Sequence, residues 1–140
     1  MTRIETNNSL TQGLVPPSIK IAEDEMHRLG DLAESCRELF PRIAQFLSQE
    51  MARATVAADA RDLQGVVRMG SKVTYRDDTT GATHEVALVY PHEVNTGLNC
   101  VSILTHVGAA LIGLSAGQRI KFRTPGSGIR CITVLAVSNQ

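Results

Sequence analysis

The chain has 140 residues, 43% hydrophobic and 20% charged, a composition that builds a packed core rather than a disordered coil. That length admits one compact domain, or a domain of about 75 residues with a small helical appendage, but not two full-sized domains. A formal net charge of zero argues against nucleic-acid affinity resting on phosphate neutralisation, which needs an excess of Lys and Arg.

The charge is nevertheless divided. Residues 1–64 hold seven basic and ten acidic side chains, and residues 65–140 hold seven and four, an asymmetry that hints at differently charged faces. Cys36, Cys100 and Cys131 are widely spaced, without a Cys-x-x-Cys pair, so no disulfide framework is expected and Cys131 is read as a small buried hydrophobe. No secretory leader is recognised and no run approaches the roughly 20 apolar residues of a membrane span, which points to a cytoplasmic protein with no membrane association.

Residues 1–17, with Gly13 and Pro16-Pro17, show no periodicity and read as a flexible leader. Ile19-Lys20-Ile21 suits a strand fragment or a helix approach. The acidic run Glu23-Asp24-Glu25 then suits a first helical turn, where negative charge meets the positive end of the backbone dipole. Met26, Leu29, Leu32, Ala33 and Cys36 recur at three- and four-residue steps and give that helix one apolar stripe. Pro41 is excluded from a helix interior but suits a first helical position, so a turn over residues 37–40 and a second helix follow, with Ile43, Phe46, Leu47, Met51 and Ala54 as its stripe. Two arms of about 14 residues, roughly 21 Å each, form an antiparallel hairpin. A polar connection, residues 57–64, completes the segment 18–64.

From Gly65 the pattern turns strand-like. Residues 72–76 and 84–90 flank the turn Asp77-Asp78-Thr79-Thr80-Gly81 and read as a β-hairpin. Further strands are expected over 101–104, 119–123 and 129–137, the last two joined through Thr124-Pro125-Gly126-Ser127-Gly128. Residues 107–114, apolar but rich in Gly and Ala, suit a short helix crossing the sheet. The fold class is α+β, with a short helical hairpin followed, over residues 65–140, by a mostly antiparallel sheet and one helix.

Candidate chemistry is sparse. His27, His84, His92 and His106 share no metal-ligand spacing with one another or with a cysteine, and no catalytic residue, metal or cofactor is assigned. Gly126-Ser127-Gly128 lacks the Gly-Lys-Ser/Thr ending of a phosphate loop and reads as a turn. Glu34 and Glu38 lie one helical turn apart near the hairpin tip; an exposed acidic surface is the simpler reading, and Mg²⁺ held with outside ligands the sharper one.

Met69-Gly70-Ser71-Lys72-Val73, Leu88-Val89-Tyr90-Pro91, the run from Val107 to Leu114, then Gly117 and Thr124-Pro125-Gly126 with Gly128 occur in an order that resembles the C-terminal domain of the Gre transcript-cleavage and elongation factors. Within that superfamily the chain is most similar to the short-fingered Rnk type, regulators of nucleoside diphosphate kinase. The resemblance implies an FKBP-like sheet wrapped on a short helix, with the helical hairpin in the place of the family's coiled-coil finger. It implies docking on RNA polymerase at the rim of the secondary channel, through Thr105, His106, Val107, Gly108 and Leu111, with any nucleic-acid contact an indirect one inside the elongation complex.

Two positions depart from the family. Gre factors typically carry Ser-Pro where this chain has Thr105-His106, and the loop loses the stiffness of a proline. They usually carry Asp where this chain has Gln118, which implies loss of a turn-capping carboxylate. Cleavage-stimulating factors deliver acidic tip residues to the polymerase's catalytic Mg²⁺, and arms of roughly 21 Å are too short for that. The expectation is therefore a non-enzymatic docking protein that competes with Gre factors without stimulating cleavage. Its tip comprises Glu34, Glu38, Leu39 and Phe40, where the two apolar residues either cap the hairpin or meet a partner. The alternatives are a protein-protein regulator of nucleoside diphosphate kinase, favoured by nothing in the residues, and a peptidyl-prolyl isomerase, disfavoured by the shortage of aromatics for an apolar pocket.

Overall fold

The computed structural model describes residues 16–94, 99–126 and 128–139, so nearly all of the expected leader lies outside the described residues. Ile19-Lys20-Ile21 resolves as a strand. β1 (Lys20–Ile21) pairs in parallel with β2 (Thr55–Val56), a strand between the second helix and the connection to which the sequence reading assigned no element. Between them run α1 (Glu23–Ser35) and α2 (Pro41–Arg53), each of 13 residues, or about 20 Å at the helical rise. Glu23, Asp24 and Glu25 occupy the first turn of α1, and Pro41 sits at the start of α2, where its missing N–H costs nothing.

The main sheet has the strand order β5-β4-β3-β7-β6, built from β3 (Lys72–Asp77), β4 (Thr83–Val89), β5 (Cys100–Ser102), β6 (Arg119–Thr124) and β7 (Gly128–Ser138). Every pairing is antiparallel except β4 with β5, and a register shift opposite Thr74 and Tyr75 leaves Leu135 of β7 unpaired with β3, a bulge that bends β7. Alternation puts Val73 and Tyr75 of β3, Ile120 and Phe122 of β6, and Ile132 and Val134 of β7 into the core. The fold is thus a helical pair followed by a curled, mostly antiparallel sheet with α3 (His106–Leu111) lying across it.

One buried cluster runs through both segments. Ile19, Ile21, Leu29, Ala33, Leu47 and Met51 belong to the same core as Val73, Leu88, Leu111, Ile120 and Ile132. The backbone repeats the join, because Lys20 N–H donates to the Gly113 carbonyl at 3.1 Å and Gly113 N–H donates to the Val67 carbonyl at 2.9 Å. An arm standing free of the sheet was the sequence expectation; only its outer end is free. Along their length α1 and α2 bury Leu29, Ala33, Ala44, Leu47 and Met51, whereas residues 37–42 are exposed.

Two glycines are fixed by close approach. A Cβ on Gly108 would stand 2.1 Å from the Ser102 carbonyl oxygen, so α3 can lie against the end of β5 only with hydrogen there. Gly113, at φ 81°, would bring a Cβ to 2.8 Å from Ile19 Cβ.

Candidate partner-docking face

The segment Thr105–Val107 is set by a local hydrogen-bond knot. Thr105 caps α3, its hydroxyl accepting from Gly108 N–H at 3.0 Å and donating to the Ser102 carbonyl at 2.8 Å, the role a threonine takes best at a helix start. Thr105, His106 and Val107 open onto a surface cavity of about 660 Å³ shared with Tyr75, Val101, Ser102, Pro125 and Arg130. Gly108 and Leu111 do not join them. Leu111 is 0% exposed and Gly108 is buried, because α3 turns that side into the core, so direct partner contact by these two is corrected to a packing role.

His106 is half-buried, its ring 6.3 Å from that of Phe46 on α2, and Phe46 in turn lies 6.1 Å from Phe122 at an interplanar angle of 24°. Burial, and secondarily the positive charge of Arg42, hold the His106 pKa below its ordinary value. The neutral imidazole is therefore favoured at pH 7. Sequence reasoning missed this contact between the docking segment and α2. Phe46 was read simply as part of an apolar stripe, and no local pattern tells a hairpin-facing phenylalanine from one that reaches the sheet.

At the far end of the molecule, Phe40 N–H donates to the Cys36 carbonyl at 2.8 Å and closes the hairpin turn. Leu39 is 78% exposed and Phe40 50%, so they do not form a packed cap. Glu34 pairs with Arg37 at 2.8 Å on the exposed surface, and Glu38 is exposed. Among the described residues no group of three or more His, Cys, Asp or Glu is placed to hold a metal ion, and no helix is long and apolar enough to cross a membrane.

Two further readings change. Gln118 does not leave its turn uncapped: its side-chain carbonyl accepts from Ser115 N–H at 2.8 Å, and its amide donates to the Ser18 carbonyl at 3.1 Å. The amide keeps the cap and adds a tie to the strand leading into the hairpin, which a carboxylate cannot donate. Cys131 is half-buried rather than buried, with its thiol 3.4 Å from an Asp78 carboxylate oxygen.

Residues 62–139 match the family model described as transcription elongation factor GreA/GreB, C-terminal. The chain belongs to the GreA/GreB family. Residues 17–56 match the model for the Rnk N-terminus, so both parts of the chain have relatives in the expected order. Among curated relatives, the regulator of nucleoside diphosphate kinase from Escherichia coli (strain K12) is 31% identical over 124 residues, 89% of this chain and 91% of the relative. Transcription elongation factor GreA from Syntrophus aciditrophicus is 32% identical, over 89% of this chain and 81% of the relative. A solved structure, the GreA/GreB elongation factor from Nitrosomonas europaea, is 35% identical with a TM-score of 0.67, covering 88% of this chain and 99% of that one. These relatives are Gre-like factors and a regulator, and this chain is a Gre-like member with the Rnk-type N-terminal segment.

Proposed function

We propose that this Gre-like chain binds RNA polymerase at the rim of the secondary channel, with residues 65–140 as the docking head and residues 18–64 as a finger, and that it competes there with longer-fingered factors without stimulating transcript cleavage. The observation that carries the reading is the length and seating of the hairpin. Each helix has 13 residues, about 20 Å, and Leu29 and Ala33 of α1 and Leu47 and Met51 of α2 are buried in the core shared with the sheet. What remains free is too short to carry Glu34 or Glu38 to a distant catalytic metal. The exposed tip residues Leu39 and Phe40 instead suit a contact on the channel wall, and Thr105 and Val107 present the docking cavity.

Co-sedimentation with core polymerase tests the docking claim. Thr105→Asp keeps the acceptor for Gly108 N–H but loses the donor to the Ser102 carbonyl and places a charge on the docking face, and Val107→Asp places one beside it. Each should weaken binding about tenfold, whereas Thr105→Val, which loses the same hydroxyl without adding charge, should weaken it far less. Unchanged binding by both would overturn the assigned face. In a backtracked elongation complex the chain should reduce GreA-stimulated RNA shortening and cause none itself; cleavage stimulated by this chain alone would refute the finger-length argument.

A second reading has one observation in its favour, the name of the Escherichia coli relative that covers 89% of this chain. It predicts capture of nucleoside diphosphate kinase by the immobilised chain, with kinase activity altered in proportion.

A further inference from the structure

Among the described residues β6 is an outer strand of the main sheet, joined to β7 on one side only. Val134 N–H donates to the Gln118 carbonyl at 2.9 Å, and Asp78 N–H to the Cys131 carbonyl at 2.8 Å. Cys131 therefore turns its peptide groups toward β3. Lys121, its register partner, stands in a pair without hydrogen bonds and turns its own N–H and C=O away from β7. The two-residue period of a strand does the same for Arg119 and Arg123. No described backbone group bonds these three residues from the open side, so β6 presents a row of unpaired donors and acceptors.

That row opens onto a cleft of about 970 Å³ between α2 and β6, lined by every residue from Ile120 to Gly126. Side chains of a strand alternate between faces, so consecutive residues line one cleft only where the strand meets it edge-on. The two faces beside this edge differ. Arg119, Lys121 and Arg123 are exposed on one and form no salt bridge among the described residues. Ile120 and Phe122 lie on the other, with the half-buried Phe46 ring of α2 6.1 Å from that of Phe122. Glu50, the one carboxylate lining the cleft among the described residues, is already paired with Arg53 at 2.7 Å.

An added strand would meet these faces residue by residue. Residues bonded to Arg119, Lys121 and Arg123 stand opposite them with their side chains on the cationic face, and the residues between turn toward Phe46. Opposite charges across such pairs attract, and like charges repel. A second copy of this chain is therefore a poor occupant, because antiparallel pairing of β6 with itself about Lys121 sets Arg119 against Arg123. We propose that the free edge of β6 binds an extended peptide by strand addition, and that this peptide alternates acidic with apolar side chains. The acidic groups pair with the three cations, and the apolar ones enter the cleft beside Phe46.

Fluorescence anisotropy of a dye-labelled peptide Ser-Glu-Val-Glu-Ile-Glu-Ser, titrated with the full chain in the absence of polymerase, tests this edge separately from the docking reading. The peptide should bind, and a scrambled version with its Glu residues consecutive should bind about tenfold more weakly. Methylating the backbone nitrogen of the central Glu, which removes a donor but no charge, should weaken binding by about as much. Arg119→Gln, Lys121→Gln and Arg123→Gln, all at exposed positions, should each weaken it about threefold with an unchanged melting curve. Bound peptide should protect the Arg119, Lys121 and Arg123 amides from hydrogen exchange, whereas those of Ile120 and Phe122, turned toward β7, should change little. Any of four results would overturn the proposal: no binding at millimolar peptide, equal binding by the scrambled and N-methylated peptides, preference for an oligouridylate, or binding that emerges only once residues 1–15 are removed.

Discussion

Gly108 shows how little freedom single positions have around the docking segment. The Ser102 carbonyl accepts from the Thr105 hydroxyl at 2.8 Å and from Thr105 N–H at 3.1 Å, and a methyl group at Gly108 would intrude to 2.1 Å of the same oxygen. That oxygen is backbone and cannot swing aside. Gly108→Ala is expected to cost about 3 kcal/mol, the upper part of the range for overpacking, seen as a lowered urea midpoint with an unchanged slope. An alanine variant as stable as the parent would mean that α3 and β5 separate easily. The sequence marked Gly108 as part of a run resembling the family, but assigned it to a partner; the clash with Ser102 depends on a β5–α3 approach that no local spacing encodes. Gln118 carries a similar lesson, since its tie to Ser18 spans 100 positions of the chain.

Among the elements, the β3–β4 turn is locked to β7 by two adjacent carboxylates. Asp77 accepts from Thr79 N–H at 2.9 Å and from Arg130 at 3.0 Å, and Asp78 from the Thr133 hydroxyl at 2.6 Å and Arg76 at 2.6 Å. The Thr133 hydroxyl and the Arg76 guanidinium hold the Asp78 pKa down, to about 2. A depressed folded value favours the native state above the unfolded pKa of about 3.9, and that contribution is lost as pH falls toward 2. Asp78→Asn should therefore be less stable than the parent at pH 6, and the gap in urea midpoint should close between pH 4 and pH 2. A constant gap across that interval would show that the ionised carboxylate is not what matters. The turn itself was legible from Asp77-Asp78-Thr79-Thr80-Gly81, because these residues supply turn chemistry locally. The partners on β7 were not.

For the whole molecule, the continuous core predicts one cooperative unit. Ile19, Ile21, Leu47 and Met51 are buried in the same cluster as Ile120 and Ile132, so residues 65–140 alone would expose apolar surface that the helices now cover. That fragment is expected to lack a cooperative thermal transition, whereas the full chain melts in a single step; a fragment with a sharp melt of its own would establish an independent head. The same continuity limits the finger, because helix length spent inside the core is not available for reach.

Periodicity, Pro41, the acidic first turn of α1 and the turn residues determined by themselves the order and nature of nearly every element, since each depends on neighbours within a few positions. The tertiary structure alone decided which helix faces sit on the sheet, that β1 joins β2, and that His106 meets Phe46. Those relations join residues far apart in the chain. They follow from the close packing of a shared core, which local sequence spacing does not specify.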